Sequence, residues 1–101
     1  MTQVLEIVEF YQTKQSRKEG FLAAAQKALN FAKGLEGFIS TQLAQDADGK
    51  YINVVKWRDM ECAKAAAQNF MTYAEVQDFI SVIDPEGMKM HHYEIDFEIK
   101  E

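Results

Sequence analysis

The sequence predicts an α+β fold in which an antiparallel sheet carries helices on one face. Residues 37–57 hold two apolar-rich runs around a polar turn, which is the pattern of a β-hairpin. Alanine-rich stretches with helical spacing stand before and after that hairpin. A strand-like run opens the chain and another closes it. Under right-handed crossover rules, the resulting order β-α-β-β-α-(α)-β predicts a ferredoxin-like sandwich, a single domain over residues 1–101.

The hairpin is predicted to reverse at residues 46–49, because Asp hydrogen-bonds its own backbone in turns and Gly49 can adopt a positive φ. With a four-residue loop, the pairs on one face are Phe38–Trp57, Ser40–Val55, Gln42–Asn53 and Ala44–Tyr51. The other face then holds Ile39, Thr41, Leu43, Ile52, Val54 and Lys56. Both faces carry large apolar side chains, so we expect a second layer to cover the face that the helices leave open.

The first strand is predicted from Val4 to Tyr11, a run rich in β-branched and aromatic residues whose two alternating sets are both mostly apolar. Glu6 and Glu9 interrupt this pattern. Each is either a strand-end or edge carboxylate that reaches solvent or a functional acid that faces a cavity. The first interpretation is favoured because an unpaired Glu is rarely fully buried.

A first helix is predicted to begin at a capping box formed by Ser16 and Glu19 and to end near Lys33, with Gly34 as a left-handed cap. Its apolar stripe consists of Phe21, Ala25, Ala28, Leu29 and Ala32. So much alanine either lets the helix lie close on the sheet or leaves room above the sheet for a ligand.

A second alanine-rich helix is predicted over residues 60–69 with Asp59 as its N-cap. A further capping box at residues 72–75 predicts a short third helix. Residues 84–87 then indicate a turn, and residues 88–99 alternate apolar and polar side chains as a long final strand does.

If the helices cover one face of the sheet, the other face would be exposed to solvent in a monomer. The candidates for that open face are Val4, Val8, Phe10, Leu43, Ile52 and Val54. Monomers seldom expose so much contiguous apolar surface. A two-fold dimer that packs sheet on sheet would bury it, so we expect a homodimer through the sheet face.

Composition excludes several classes of partner. The net charge of −5, with lysines and arginines dispersed, argues against nucleic acid or an anionic membrane surface. No apolar run approaches the ~18 residues of a membrane span. The single cysteine, Cys62, has no partner for an internal disulfide, which is typical of a reducing, cytoplasmic setting.

Three segments carry a resemblance to a known family: residues 36–38 (Glu-Gly-Phe), the strand from Tyr51 to Trp57, and residues 61–66 after it. Together with the polar turn, they resemble the antibiotic biosynthesis monooxygenase-like proteins of the dimeric α/β-barrel superfamily. Glu36 stands where that family often has Pro. The resemblance implies a homodimer with a pocket between helices and sheet in each subunit. It also implies activities that range from cofactor-free oxidation of polycyclic aromatics through isomerisation to haem degradation.

Five residues are candidates for such a pocket. In haem-degrading relatives a Trp at the position of Trp57 lines the pocket; the alternative is a core aromatic stacked on Phe38. Asn53 and Gln42 are predicted to lie side by side within apolar strands on the face of Tyr51, and burying an amide without partners costs ~1–3 kcal/mol. These two amides therefore satisfy each other or meet a ligand. The sequence does not identify a base; Glu9, if it points inward, is the least unsuitable candidate.

The sequence predicts no bound metal, haem or flavin. His91 and His92 are the only histidines, and successive strand residues point to opposite faces, so one chain does not present both to one metal. Haem-degrading members of the family use a helix-borne His, and no His occurs over residues 59–83. Phosphate-binding glycine loops, zinc spacings and nucleophile elbows are absent, and Cys62 has no His near it in sequence.

Two functions stay open on the sequence. The first is a protein that binds a small, flat aromatic or polyketide-like molecule between the alanine faces and Tyr51, Asn53 and Trp57. It would oxidise or isomerise that molecule without a bound cofactor if the substrate forms a stabilised anion. The second is a non-catalytic dimeric interaction protein in which side chains fill the space between helices and sheet.

Overall fold

The computed structural model describes residues 2–101 of the chain. Its elements in order are β1 (Val4–Gln12), α1 (Lys18–Ala32), β2 (Phe38–Gln45), β3 (Tyr51–Trp57), α2 (Met60–Asn69), α3 (Gln77–Ser81) and β4 (Ile83–Glu94). Two 3₁₀ turns, over residues 70–72 and 74–76, join α2 to α3. The four strands form one sheet in the order β2-β3-β1-β4, and each neighbouring pair is antiparallel. The predicted ferredoxin-like α+β arrangement is confirmed.

Four residues that were predicted on the open face of the sheet lie on its helix side instead. Val4 and Phe10 are buried in clusters that also contain helix residues, and Val8 packs against one of them. Leu43 lies on that side as well. The assignment of these four residues to the open face was therefore wrong. Because both alternating sets of β1 are apolar, the sequence pattern does not say which set the helices cover.

The hairpin contains a bulge that the predicted register lacks. Phe38 pairs with Trp57 as expected, but the register shifts at Ile39, which has no partner on β3. Beyond the bulge Gln42 pairs with Val54, and Leu43 pairs with Asn53. The predicted Gln42–Asn53 pair is therefore wrong. The bulge moves Thr41 and Leu43 to the helix side and turns Gln42 to the open face.

The loop of the hairpin also closes one residue later than predicted. The Asp46 N–H donates to the Lys50 carbonyl, so Lys50 belongs to the turn. The Asp46 carboxylate accepts from the backbone N–H groups of Asp48 and Lys50, and Gly49 has a φ of +91°. The predicted turn chemistry of Asp46 and Gly49 is thus confirmed, while the loop length is not.

The helix termini follow the prediction at α2 and depart from it at α1. Asp59 caps α2, because its side chain accepts from the Cys62 N–H at 2.8 Å. Ser16 does not cap α1; its hydroxyl donates to the Thr13 carbonyl, and Arg17 occupies the N-cap position. Gly34 lacks a positive φ, and the left-handed residue after α1 is Gly37, with a φ of +81°.

The last third of the chain differs from the prediction in two places. The Thr72 hydroxyl donates to the Asn69 carbonyl instead of capping a helix, and α3 begins only at Gln77. The predicted turn at residues 84–87 lies inside β4, where it forms a bulge opposite β1 with Gly87 at a φ of +82°. The strand ends at Glu94 and not at residue 99, because Glu94 pairs with Val4 and β1 offers no partner strand beyond it.

Two core clusters lie between the sheet and the helices. The first, under α1 and α3, consists of Phe10, Phe21, Ala25, Ala28, Tyr51, Val76 and Phe79. The second, under α2, consists of Val4, Val55, Trp57, Cys62, Ala63 and Ala66. We call them the aromatic cluster and the α2 cluster. Among residues 2–101, none of the helices has the length and apolar character needed to cross a membrane.

Candidate functional site

A strip of polar side chains crosses the helix side of the sheet between the two clusters. One row across the four strands contains the polar residues Thr41, Glu6 and His92, with the apolar Val55 as its member on β3. The adjacent row contains Asn53 on β3. These polar groups interrupt an otherwise apolar surface, and buried polar groups without a structural purpose are disfavoured. This polar strip is therefore the part of the interior where a functional site is most expected.

Glu6 is the buried charged residue of the strip, with 7% of its surface exposed. Its Oε2 lies 2.8 Å from Nε2 of His92, so the ring N–H donates to the carboxylate when Glu6 is ionised. Burial raises the pKa of Glu6, and the His92 contact opposes this rise without cancelling it. Sequence reasoning missed this pair. The alternation of side chains along β1 was the available signal. Glu6 lies an even number of residues from Val4 and Phe10, so all three share one face of the strand.

Trp57 lies beside Glu6 with its indole fully enclosed. Its ring meets Phe38 edge-on, with centroids 5.9 Å apart, so the contact with Phe38 considered in the sequence analysis is present. The indole N–H is buried and has no hydrogen-bond partner among residues 2–101. It is near enough to the Glu6 carboxylate to lower that group's pKa, but it lies outside hydrogen-bonding geometry. A buried donor is therefore left free next to a buried carboxylate.

Asn53 has a different partner from the one predicted. The Thr41 hydroxyl donates to Asn53 Oδ1 at 2.8 Å. Within residues 2–101 the structure records no partner for the Asn53 amide nitrogen, and the side chain is half-buried. Gln42, the other predicted amide, is exposed on the opposite face. The bulge at Ile39 thus leaves Asn53 with a free donor on the helix side.

Tyr51 shares a face with Asn53 and Trp57 but belongs to the aromatic cluster. Its ring centroid lies 4.5 Å from that of Phe21 and 5.8 Å from that of Phe10. Its hydroxyl is buried without a partner among residues 2–101, and burial raises its pKa. Side chains therefore fill the space around the Tyr51 ring.

Glu9 lies on the open face, so the condition set for it as a base, an inward side chain, is not met. Its carboxylate is 3.0 Å from Lys50 Nζ and 3.2 Å from His91 Nε2. The hydrogen bond from Lys50 lowers the pKa of Glu9. Of the two acids on β1, Glu6 faces the interior and Glu9 faces outward, so the favoured interpretation of a carboxylate outside the core holds for Glu9 and not for Glu6.

Two grooves border the helix side. The first, which we call the α2 groove, has a volume of about 710 Å³ and is lined by Thr2, Val4, Leu35, Glu36, Arg58, Asp59, Met60, Glu61, Cys62, Ala65, Ala66, Tyr73 and Glu94. The second, of about 520 Å³, lies between α1 and β2 and includes Phe38 and Thr41 in its lining. Tyr51, Asn53 and Trp57 are absent from both linings. The α2 groove nevertheless reaches Val4, the register partner of Trp57.

Cys62 is held in the wall of the α2 groove as a neutral thiol. Burial raises the pKa of Cys62, and the adjacent Arg58 does not reverse this. The Arg58 guanidinium donates to its sulfur at 3.1 Å. A nucleophilic cysteine needs a lowered pKa, so the thiol contributes packing and not chemistry. Within residues 2–101 no group of three or more His, Cys, Asp or Glu side chains is arranged to hold a metal ion.

Comparison with known proteins identifies the family. The structure is similar to SnoaB, a cofactor-independent oxygenase from Streptomyces nogalater, with a TM-score of 0.76, 14% identity and 100% coverage of both chains. It is also similar to a candidate antibiotic biosynthesis monooxygenase from Nitrosomonas europaea, with a TM-score of 0.72, 15% identity and coverage of 94% of this chain and 91% of that one. A search of curated proteins finds no match. The profile of the antibiotic biosynthesis monooxygenase family matches residues 4–81, and the chain belongs to that family.

Proposed function

We propose that this protein binds a small, flat, hydroxylated aromatic or polyketide-like molecule in the α2 groove and oxidises it with dioxygen, without a bound cofactor. Family membership supports an oxygenase, and a similar fold occurs in SnoaB, which is a cofactor-independent oxygenase. The volume of about 710 Å³ falls within the range of small-molecule sites. The lining combines apolar side chains that suit a planar ring system, among them Val4, Ala65 and Ala66, with five charged ones.

The observation that carries the proposal is the unpaired indole N–H of Trp57. A buried donor without a partner costs about 1–3 kcal/mol, and a ligand oxygen at this place would remove that cost. Asn53 supplies a second free donor two rows along the same face. Four residues of a strand span about 13 Å, so the two donors would serve two different oxygens of one ligand. A donor at a phenol or enol oxygen stabilises the anion more than its neutral form.

The chemistry needs no cofactor if the substrate anion itself gives electrons to dioxygen. For a ring CH₂ conjugated with a carbonyl through the ring system, as in an anthrone, one oxygen atom of O₂ becomes the new carbonyl oxygen, and the other leaves as water with the two hydrogens of the CH₂. The same anion, protonated at a different carbon, gives an isomer, so isomerisation would use the same donors. In both reactions, the protein lowers the barrier by stabilising negative charge on the substrate oxygen.

The binding proposal predicts that Asn53→Ala weakens ligand affinity by about 0.5–3 kcal/mol, because its hydrogen bond to a second ligand oxygen is lost. Trp57 is the only tryptophan, so quenching of its fluorescence by a panel of hydroxylated bicyclic and tricyclic aromatics measures binding. Gln68→Ala, which truncates an exposed amide on α2, is the control and should bind as the wild type does. A panel with no saturable quencher contradicts the proposal.

We also propose that the functional unit is a homodimer through the open sheet face. That face carries Leu5, Ile7, Ile39, Ile52, Val54 and Tyr93, with Ile39 and Tyr93 among the exposed large apolar residues. Monomers seldom leave such a surface in water, and a second copy would bury it. Light scattering at micromolar concentration should give twice the mass of one chain.

Val54→Asp should convert this dimer to monomers, because two-fold symmetry places the charge in the interface twice. Glu75→Gln, an exposed change on the helix side, should leave the dimer mass unchanged. A wild-type monomer mass that persists as the concentration rises would contradict the sheet-on-sheet arrangement.

One observation favours the alternative of a non-catalytic dimeric interaction protein. Phe10, Phe21 and Phe79 fill the space around Tyr51, so half of the helix side has no room for a ligand. Under this alternative the Thr41–Asn53 hydrogen bond is structural. Asn53→Ala would then lower stability while no panel member binds the wild type.

A further inference from the structure

We propose that Glu6, held by His92, is the proton acceptor of the site, and that the substrate presents an acidic O–H which Glu6 deprotonates. This inference rests on the proposed function, because it requires a molecule in the α2 groove.

The α2 groove reaches the row of the sheet next to Glu6 and His92. Its lining includes Val4 and Glu94, which pair with each other across β1 and β4. Glu6 and His92 form the next pair on the same face, two residues along each strand. Side chains two residues apart on a strand are about 7 Å apart, roughly the width of one aromatic ring with its substituents. Glu6 and His92 do not line the groove, and Val4 is buried, so a flat ligand reaches the Glu6 carboxylate when its edge extends one row beyond Val4.

The surroundings of Glu6 make it a base of useful strength. His92 on β4 and Trp57 on β3 contact it, Cys62 on α2 packs in the cluster that contains Trp57, and Glu94 lies one pair further along β4. Within residues 2–101 no Lys or Arg forms an ion pair with Glu6. Burial therefore dominates and raises its pKa above that of an ordinary carboxyl, which makes the ionised Glu6 a stronger base.

The proton transfer is balanced within the site. The substrate O–H bond breaks and its electron pair stays on the substrate oxygen, while the proton forms a new O–H bond on Glu6. Negative charge thus moves from Glu6 to the substrate, where the free Trp57 N–H can donate to it. His92 is a positioning residue, since its Nε2 contact at 2.8 Å orients the carboxylate.

A second Glu–His pair on the same two strands shows what Glu6 would be without burial. Glu9 lies 3.2 Å from His91 on the open face, and it also contacts Lys50. The Lys50 hydrogen bond lowers the pKa of Glu9, which makes it a weaker base than an ordinary carboxylate. The same residue types therefore differ in chemistry because only one pair is enclosed between sheet and helices.

The test uses dithranol, a dihydroxyanthrone, as the probe and measures oxygen uptake above the buffer blank as a function of pH. For the wild type, kcat/KM should fall as the pH decreases through the raised pKa of Glu6, because a protonated carboxyl is not a base. Glu6→Gln should lower kcat by roughly 10²-fold with KM little changed. It should also abolish the decrease of kcat/KM at low pH, which is the acid limb of the pH profile. His92→Phe removes a contact that lowers the pKa of Glu6, so its acid limb should move to higher pH.

Asp78→Asn is the control, because it removes one carboxylate from an exposed ion pair with Lys27 and should leave the profile unchanged. A wild type that oxidises dithranol while Glu6→Gln keeps its kcat and its acid limb overturns the inference and leaves the proposed function standing. A wild type that neither binds nor oxidises the panel overturns both. Should Glu6→Gln fail to fold, the His92→Phe profile decides: an unmoved acid limb overturns the inference.

Discussion

Replacing Phe21 with alanine is expected to lower the free energy of unfolding by about 3–5 kcal/mol, the usual loss when a buried aromatic ring is removed. Phe21 is fully buried on α1 and contacts the rings of Tyr51, Phe10 and Phe79, with centroids 4.5, 6.0 and 5.7 Å away. It is the point where α1, α3 and the sheet meet. Urea denaturation followed by far-ultraviolet circular dichroism measures the loss.

Phe97→Ala provides the comparison, because 79% of the Phe97 surface is exposed. Its unfolding free energy should stay within about 0.5 kcal/mol of the wild type. Similar losses for the two variants would mean that the aromatic cluster does not anchor α1 to the sheet. The alternative of a non-catalytic interaction protein would then lose its argument that this half of the interior is closed.

Gly37→Ala is expected to be the second most damaging of these changes to stability, with a loss of about 2–5 kcal/mol from backbone strain and overpacking together. Gly37 has a φ of +81°, which L side chains rarely adopt. A Cβ at this position would lie 2.5 Å from the Cys62 sulfur and 2.6 Å from the Cys62 Cβ. The added methyl group would therefore push α2 away from the end of β2.

Gly87→Ala separates the two contributions. Gly87 has a nearly equal φ of +82°, but a Cβ there would have no atom within 4 Å. It should lose only the backbone part, about 1–2 kcal/mol. Equal losses for Gly37→Ala and Gly87→Ala would show that the Cys62 contact does not matter. A larger loss at Gly37, with a weakened ligand response of Trp57, would show that this contact also holds the wall of the α2 groove.

The candidate site was predictable where the strand pattern was unbroken. Tyr51, Asn53 and Trp57 were placed on one face of β3, and the structure has them there, because β3 contains no bulge. Gln42 was misplaced because one extra residue at Ile39 reverses the parity of the rest of β2. A bulge of this kind depends on how β2 pairs with β3, so no local pattern in β2 predicts it.

The acid of the site illustrates the same limit. Glu6 and Glu9 look alike in the sequence, since each interrupts a run in which both alternating sets are apolar. Only the packing of the helices decides that the Val4 set is covered, which buries Glu6 to 7% exposure and leaves Glu9 outside with Lys50. The pKa values of the two carboxyls therefore move in opposite directions for a tertiary reason.

By itself the sequence determined the order of strands and helices, the turn chemistry at Gly49 and the Asp59 cap, because periodicity, caps and turns act over a few residues. The tertiary structure alone decided three things: which face of β1 is inside, where the sheet bulges, and which polar atoms remain unpaired beside Glu6. Each of these depends on contacts between residues far apart in the chain, such as Glu6 with His92. Local residue preferences carry no information about such contacts, so the base proposed here became visible only after the sheet and α2 were assembled.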